Sequence, residues 1–285
     1  MGCGEGDPVA AVVSEEWNGR TGQAWADEWR RTDRAFGPLT ERLLQRSRGR
    51  AIGQVLDVGC GAGELSLAFA RGRPLSAVTG IDLSEALIAV ARARGGHLDN
   101  ARFECADAGA WRPEGPFAAD LVVSRHGVMF FDRPVPALTH LASLTAPDAG
   151  LVASCFRDRT ENPFFTELAD LVPGEPGAPS DPAAPGPFAW ADRDRVAGWL
   201  TDAGWADVGF EPFDYAMIIG AGDDPVGDAV GYCLRIGPAA RAAADLDAEG
   251  RARFLERVAA LADRHSHEGV VALRAAAWIV TARRP

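Results

Sequence analysis

The chain is predicted to fold as an α/β protein whose mostly parallel sheet is flanked by helices, and three observations carry that expectation. Short apolar runs rich in Val, Ile and Leu recur along the sequence and alternate with stretches whose apolar positions fall at helical spacing. Three successive runs end in an acid, at Asp57, Asp82 and Asp107. The first of them breaks into Gly59, Gly61 and Gly63 and then into Leu65, Leu67 and Phe69, the order strand, tight turn, helix.

Taken in order, residues 1–13 are Gly-rich and expected to be disordered. Ser14-Glu15-Glu16 then has the form of an N-cap with an acidic first turn. Trp25 and Trp29 lie four apart and share a helix face, and a second helix over about 33–48 carries Leu39, Leu43 and Leu44 at helical spacing. After the first strand the glycines let the backbone take positive φ and let a ligand approach the main chain without meeting a Cβ. Their spacing bears on which ligand. The dinucleotide fingerprint G-x-G-x-x-G needs glycine where Glu64 stands, and Asp57 with Glu64 puts negative charge beside the turn, which repels a pyrophosphate and suits a cation.

Residues 77–82 read as the second strand, and Ser84 caps an alanine-rich helix running to Arg94. Asp82 stands about 20 residues past the last glycine, where an acid accepts hydrogen bonds from ribose hydroxyls; a bare N-cap neighbour is the alternative. The third strand, 101–108, ends in Asp107-Ala108, and the fourth, 119–124, runs into Ser124-Arg125-His126-Gly127-Val128-Met129-Phe130-Phe131. In a doubly wound sheet that loop lies at the carboxyl edge beside the switch point. A helix over about 136–144, a turn at 147–150 and a fifth strand over 151–156 follow. The stretch 157–190, dense in Pro and Gly between 173 and 187, is read as an insertion over that edge. A helix at 193–203, a strand at 205–218, an excursion over 220–267 with helices near 228–236 and 249–264, and a last strand at 270–282 bring the count to seven strands.

The run Asp57-Val58-Gly59-Cys60-Gly61-Ala62-Gly63 resembles motif I of the class I S-adenosylmethionine (SAM) dependent methyltransferases. The loop Ser124 to Phe131 is similar to an S-R-F-G-V-M-F-F signature of a bacterial subgroup, with His126 in place of its Phe, and Trp17-Asn18-Gly19 with Gly22 and Trp25 is similar to another string there. Ubiquinone- and menaquinone-type C-methyltransferases are the broad relatives. The resemblance implies a Rossmann-like fold, an N-terminal helical lid over 14–48, and a SAM-binding domain over 49–285 with cap insertions at about 157–190 and 220–267. It also implies SAM as cofactor and S-adenosylhomocysteine as product. By the same resemblance the cofactor contacts fall to Asp57, Gly59, Cys60, Gly61 and Gly63, to Asp82 with Leu83, to Asp107 and the backbone of Ala108, to Ser124 and Arg125, and to Trp25 of the lid. For Arg125 a loop-stabilising role is the alternative.

Such an enzyme mainly aligns an acceptor in line with a methyl group that the cofactor has already activated, so the lack of a catalytic triad or metal cluster in the sequence is expected. His126 is the expected general base for a hydroxyl acceptor, with a structural histidine as the alternative. Phe130, Phe131, Phe164 and Trp190 are expected to line an apolar pocket for a small, largely hydrophobic organic acceptor, of the kind handled in secondary metabolism. With 285 residues and 47% hydrophobic content a sizeable core is available. A net charge of −11 and no basic run argue against nucleic acid or an anionic membrane as partner. Five scattered cysteines suggest neither disulfides nor zinc, and no run of about 18 apolar residues occurs, so a cytoplasmic protein is expected, with a homodimer as one possible assembly. Two other activities remain as rivals: a SAM-binding fold that performs a cyclisation or decarboxylation, and a nicotinamide-dependent oxidoreductase, which the glycine spacing disfavours.

Overall fold

The strands are β1 (Gln54–Val58), β2 (Ala77–Asp82), β3 (Ala101–Cys105), β4 (Ala119–Arg125), β5 (Thr145–Phe156), β6 (Ala206–Ala221), β7 (Ser266–His267) and β8 (Val270–Arg283). They are seen in a computed structural model that describes residues 15–49, 51–171, 181–244 and 246–285. The expected disordered stretch 1–13 lies outside the described residues. Strand order is β3-β2-β1-β4-β5-β8-β6, with β7 pairing β8 off that path. β1 pairs in parallel with both β2 and β4, so the chain order reverses between β1 and β4, where a doubly wound sheet opens its ligand crevice. β8 then runs antiparallel between β5 and β6. Four of the five β1 side chains are buried, as a strand covered on both faces requires.

The eighth strand, absent from the sequence reading, is a two-residue piece. Ser266 and His267 turn back on Val271 and Val270 through Glu268 and Gly269, both at positive φ, and two residues are too few to show an alternation. β5 also begins earlier than expected. Thr145 pairs with Ala119 ahead of a register shift, and Asp148 sits at φ 61°, so the 147–150 turn is an irregularity inside the strand.

The helices are α1 (Arg20–Asp27), α2 (Trp29–Arg46), α3 (Glu64–Gly72), α4 (Glu85–Gly95), α5 (Pro134–Ser143), α6 (Pro163–Ala169), α7 (Arg193–Asp202), α8 (Pro225–Cys233), α9 (Pro238–Ala244) and α10 (Ala248–Arg264). Ser84 caps α4 by accepting from the Leu87 amide at 3.4 Å, and Asp192 caps α7 from two amides. Three helices, α8, α9 and α10, fill the connection between β6 and the last long strand, where the sequence reading had two. The boundary expected at residue 48 does not separate two bodies. Along α2, Ala35, Leu39 and Leu43 are fully buried at helical spacing and belong to the main core with Val55, Leu121 and Val280. α2 is also pinned to the cap: Asp228 of α8 receives Arg31 Nε at 2.7 Å and Arg34 Nη2 at 2.6 Å, while Arg34 donates to the Ile218 and Ile219 carbonyls of β6. Among the described residues no helix is long and apolar enough to cross a membrane.

Candidate active site

The turn between β1 and α3 carries three residues in the left-handed region, Gly59 (φ 66°), Gly61 (56°) and Gly63 (86°), and they serve different ends. A Cβ on Gly59 would meet the Gly127 Cα at 2.7 Å, so this glycine lets the two turns at the switch point touch backbone to backbone. A Cβ on Gly63 would press on Phe103 and Ala91 at 3.0–3.1 Å, which makes it a helix-packing residue. At Gly61 a Cβ would meet nothing within 4 Å, so this is the point where the cradle faces open space.

Acids gather around that point. Asp82 accepts from the Gly61 amide at 2.8 Å through Oδ2 and from the Ser84 amide at 2.9 Å through Oδ1; each oxygen keeps a further lone pair for a ligand hydroxyl. Burial raises its pKa, against those backbone bonds, which lower it. Asp57 is buried and accepts from Ser66 Oγ at 2.5 Å, yet its Oδ1 has no partner among the described residues. Burial pushes its carboxyl up to about 6, opposed by the Ser66 bond and the Arg125 charge. An orphaned buried carboxylate oxygen, a glycine open to the ligand side and two acids at strand ends fit a cofactor that carries positive charge. The Cys60 thiol is buried and its pKa raised by burial and by Asp82 and Asp57, so it is a small packing group of the cradle and no nucleophile. Leu83 offers its carbonyl to Cys105 Sγ. Asp107 lies two residues past β3, exposed and accepting from the Gly109 amide, and Ala108 beside it is buried. Trp25 packs with Trp17 and Trp29 on the cluster that holds Ala62 of the cradle, which seats the N-terminal helix on the turn.

The loop after β4 differs from its sequence reading in three places. Ser124 is spent on structure: its Oγ donates to the Val58 carbonyl at 2.7 Å and accepts from the Gly127 and Val128 amides, so it staples this loop to the end of β1. Arg125 donates to Thr40 Oγ1 at 2.8 Å and to Asp33 Oδ1 at 3.4 Å, under α2, which is the loop-stabilising alternative with side-chain partners. His126 takes φ 67°, stacks on Phe156 with ring centroids 4.2 Å apart and meets Phe36 edge-on at 5.4 Å. Its Nδ1 lies 3.4 Å from Ser154 Oγ, and its Nε2 has no partner. Burial, helped by Arg125, lowers its pKa from 6.5 to about 3. That ring stays neutral at ordinary pH and is mismatched to the work of a general base, whose pKa should lie near the operating pH.

Of the expected apolar lining, Phe130 meets Trp17 edge-on at 5.2 Å and Phe131 is partly buried nearby in the chain. Phe164 is buried in a chain of rings running Phe156, Phe165, Phe164, Tyr232, with Phe188 against Phe156 and Phe165. Trp190 is not among them. It is fully buried and packs near Trp199 of α7, and its carbonyl faces Cys155, which points to the sheet face opposite Phe156. Its place is the core beside α7, apart from the run of rings around Phe156.

Sequence reasoning missed a partly buried ion network beside the cradle. Arg94 of α4 donates to the Ala62 carbonyl at 2.7 Å, to Asp33 at 2.8 Å and to Glu64 at 2.8 Å, and stacks on Trp29 at 3.9 Å. Asp33 thereby joins Arg94 to Arg125. Its carboxyl rises to about 6, chiefly from burial, against the Arg125 and Arg94 charges.

A family described as "Methyltransferase domain" matches residues 55–148, the stretch from β1 into β5. The chain is 33% identical over 232 residues to the trans-aconitate 2-methyltransferase of Methylobacterium nodulans, covering 78% of this chain and 82% of that protein. It is 28% identical over 188 residues to the demethylmenaquinone methyltransferase of Renibacterium salmoninarum, covering 62% and 77%. Among solved structures, phosphoethanolamine N-methyltransferase 2 of Haemonchus contortus in complex with S-adenosyl-L-methionine shares the fold at TM-score 0.57 and 14% identity, over 98% of this chain and 60% of that one. The glycine cradle, the strand-end acids and these likenesses agree, and the chain belongs to the class I SAM-dependent methyltransferases.

Proposed function

We propose that the chain methylates a small, largely hydrophobic organic acceptor, of a kind that secondary metabolism supplies, held over the carboxyl ends of β4 and β5. The observation that carries this reading is the run of aromatic contacts from Phe36 through His126 and Phe156 to Phe165 and Phe188, in which His126 directly precedes Gly127, the glycine that meets Gly59 of the cradle. Rings in such an arrangement grip a flat apolar molecule by burial and by edge-to-face contact. A carboxylate-rich acceptor, such as the trans-aconitate named for one relative, calls for unpaired cations. The guanidiniums next to the cradle and the loop, Arg94 and Arg125, are both engaged by Asp33.

The residues that would hold SAM are Gly59, Gly61 and Gly63 with Asp57 and Asp82, with Asp107 and Ala108 on the adenine side and Trp25 above the turn. Bound there, the cofactor supplies an electrophilic methyl group on a cationic sulfur. This chain's own contribution is alignment. The Ser124 staple fixes the loop, the aromatic rings position the acceptor and exclude water, and His126 forms a neutral wall in place of the base expected from sequence. Alignment of this kind can lower a barrier by about 7–11 kcal/mol.

The test is to incubate the protein with methyl-labelled SAM and a panel of naphthols, hydroxyquinolines and carboxylic acids including trans-aconitate. Mass spectrometry then follows labelled product together with S-adenosylhomocysteine. Label in the flat hydroxyaromatics supports the reading. Label confined to the acids overturns it, as does retention of SAM with no S-adenosylhomocysteine formed, which would favour the non-methylating rival.

A further inference from the structure

Two buried polar atoms on one face of the sheet have no hydrogen-bond partner among the described residues: the Tyr215 hydroxyl and His126 Nε2. Their residues are only 8% and 9% exposed. Buried polar groups are nearly always paired, so two orphans in one region need a reason.

Register puts Tyr215 on the same floor as Phe156, on which the His126 ring stacks at 4.2 Å. Arg125 pairs with Ser154, Phe156 aligns through Ala277 with Phe213, and Tyr215 follows on β6 opposite Ala275. Because strand residues alternate faces, Ser154, Phe156, Ala277, Ala275, Phe213 and Tyr215 share the face that α2 covers. The alanines keep the floor low between Phe156 and Tyr215. From above, α2 lowers Phe36 onto His126 and Thr40 onto the Arg125 guanidinium. The Arg125 charge reaches both groups, since it disfavours a cationic His126 and favours ionisation of Tyr215, while burial keeps the phenol protonated. At the neighbouring inward position β6 carries Phe213, stacked on Tyr215, so packing here is met by a ring without a hydroxyl.

We propose that the Tyr215 hydroxyl and His126 Nε2 form a polar subsite that grips an oxygen of the acceptor, a phenolic or enolic hydroxyl. The acceptor oxygen takes a hydrogen bond from Tyr215 and gives one to the neutral imidazole, whose Nδ1 is then the protonated nitrogen facing Ser154 Oγ. Tyr215 is on this view the residue that selects oxygen-bearing rings over bare ones. The inference rests on the apolar-acceptor reading above and adds to it the place and chemistry of two polar contacts.

The test compares 2-naphthol with naphthalene, which differ by one hydroxyl, by equilibrium dialysis against the protein saturated with S-adenosylhomocysteine. Wild type is expected to bind 2-naphthol at least about tenfold more tightly, because a site that holds a hydroxyl leaves its own groups unpaired when the hydroxyl is missing. Tyr215→Phe removes only an oxygen that has no partner, so the fold is retained, and the ratio is expected to fall to about one to three. Tyr232→Phe, whose hydroxyl already meets Thr32 at 3.5 Å, should leave the ratio unchanged. Equal binding of the two probes by wild type, or a ratio that survives Tyr215→Phe, overturns the subsite and leaves the apolar-acceptor reading standing. If neither probe binds, that reading falls and the subsite with it.

Discussion

Acid titration against a His126→Asn variant tests the description of the site most directly. Asn is chosen because it tolerates the left-handed backbone at φ 67° and does not titrate. In the folded protein the imidazole pKa is about 3 against 6.5 in the unfolded chain, so the folded state binds fewer protons between these values. His126 therefore stabilises nothing on acidification; its full deficit is absent above pH 6.5 and grows as pH falls. Between pH 8 and pH 5 the unfolded chain takes up a proton that the native state refuses, which costs wild type about 2 kcal/mol. Asp57 and Asp33 work in the opposite sense, because their folded pKa values are raised to about 6 and the native state gains protons there. The wild-type pH profile alone thus mixes the two, and the difference from His126→Asn isolates the histidine. The assay is urea unfolding followed by tryptophan fluorescence at pH 8 and pH 5. Whatever the variant costs at pH 8, its deficit should shrink by about 2 kcal/mol at pH 5. A deficit that stays constant would mean that His126 titrates in solvent, and the neutral-wall description would fail.

Leu39→Ala in α2 should cost about 2–5 kcal/mol, as for a fully buried leucine, whereas removal of residues 1–28 should shift the melting temperature far less and weaken SAM retention; calorimetry of both proteins checks the pair. Affinity for cationic SAM should fall as pH drops through about 6, where Asp57 and Asp33 take up protons, while affinity for uncharged-sulfur S-adenosylhomocysteine falls less; titration calorimetry of both ligands at pH 5 and pH 8 measures the ratio, and a constant ratio refutes it. Asp82→Ala should weaken SAM binding by about 1.5–3 kcal/mol and also loosen the cradle, because the Gly61 amide loses its acceptor; unchanged affinity in a folded variant would reduce Asp82 to a neighbour of the α4 cap.

What was legible in the sequence was whatever is local. β2 was read at its observed bounds, Ser84 caps the helix it was expected to cap, and the cradle glycines take the positive φ their spacing demands. What escaped depends on partners distant in sequence. Asp33 meets Arg94 across 61 positions and Arg125 across 92, and nothing around any of the three residues signals the meeting. Ser124 was assigned to the cofactor by the loop's resemblance to a family signature, but three backbone groups already use its hydroxyl. Trp190 sits in an insertion whose composition is apolar, and composition does not say to which sheet face an insertion returns. For His126 the loop was legible in the sequence and the lowered pKa was not. A histidine's loop can be read from sequence, whereas its pKa is set by how deeply Phe36 and Phe156 bury it.

With His126 held neutral, the proposed transfer would draw its rate from position, and one contact joins the cofactor cradle to the loop after β4. A Cβ at Gly127 would strike the Val58 carbonyl at 2.4 Å and the Gly59 Cα at 2.8 Å, so no other residue fits where the two turns meet. Ser124 bonds across the same seam, taking the Val58 carbonyl on one side and two loop amides on the other. Arg94 holds the far side of the cradle by the Ala62 carbonyl, and Asp33 ties that arginine to Arg125 at the foot of the loop. The turn that would carry the methyl donor and the loop that would face the acceptor are therefore one rigid body. Misplacement by about 1 Å can cost such chemistry a hundredfold, so on the function proposed above rigidity between these two turns would do the work that a proton acceptor does elsewhere.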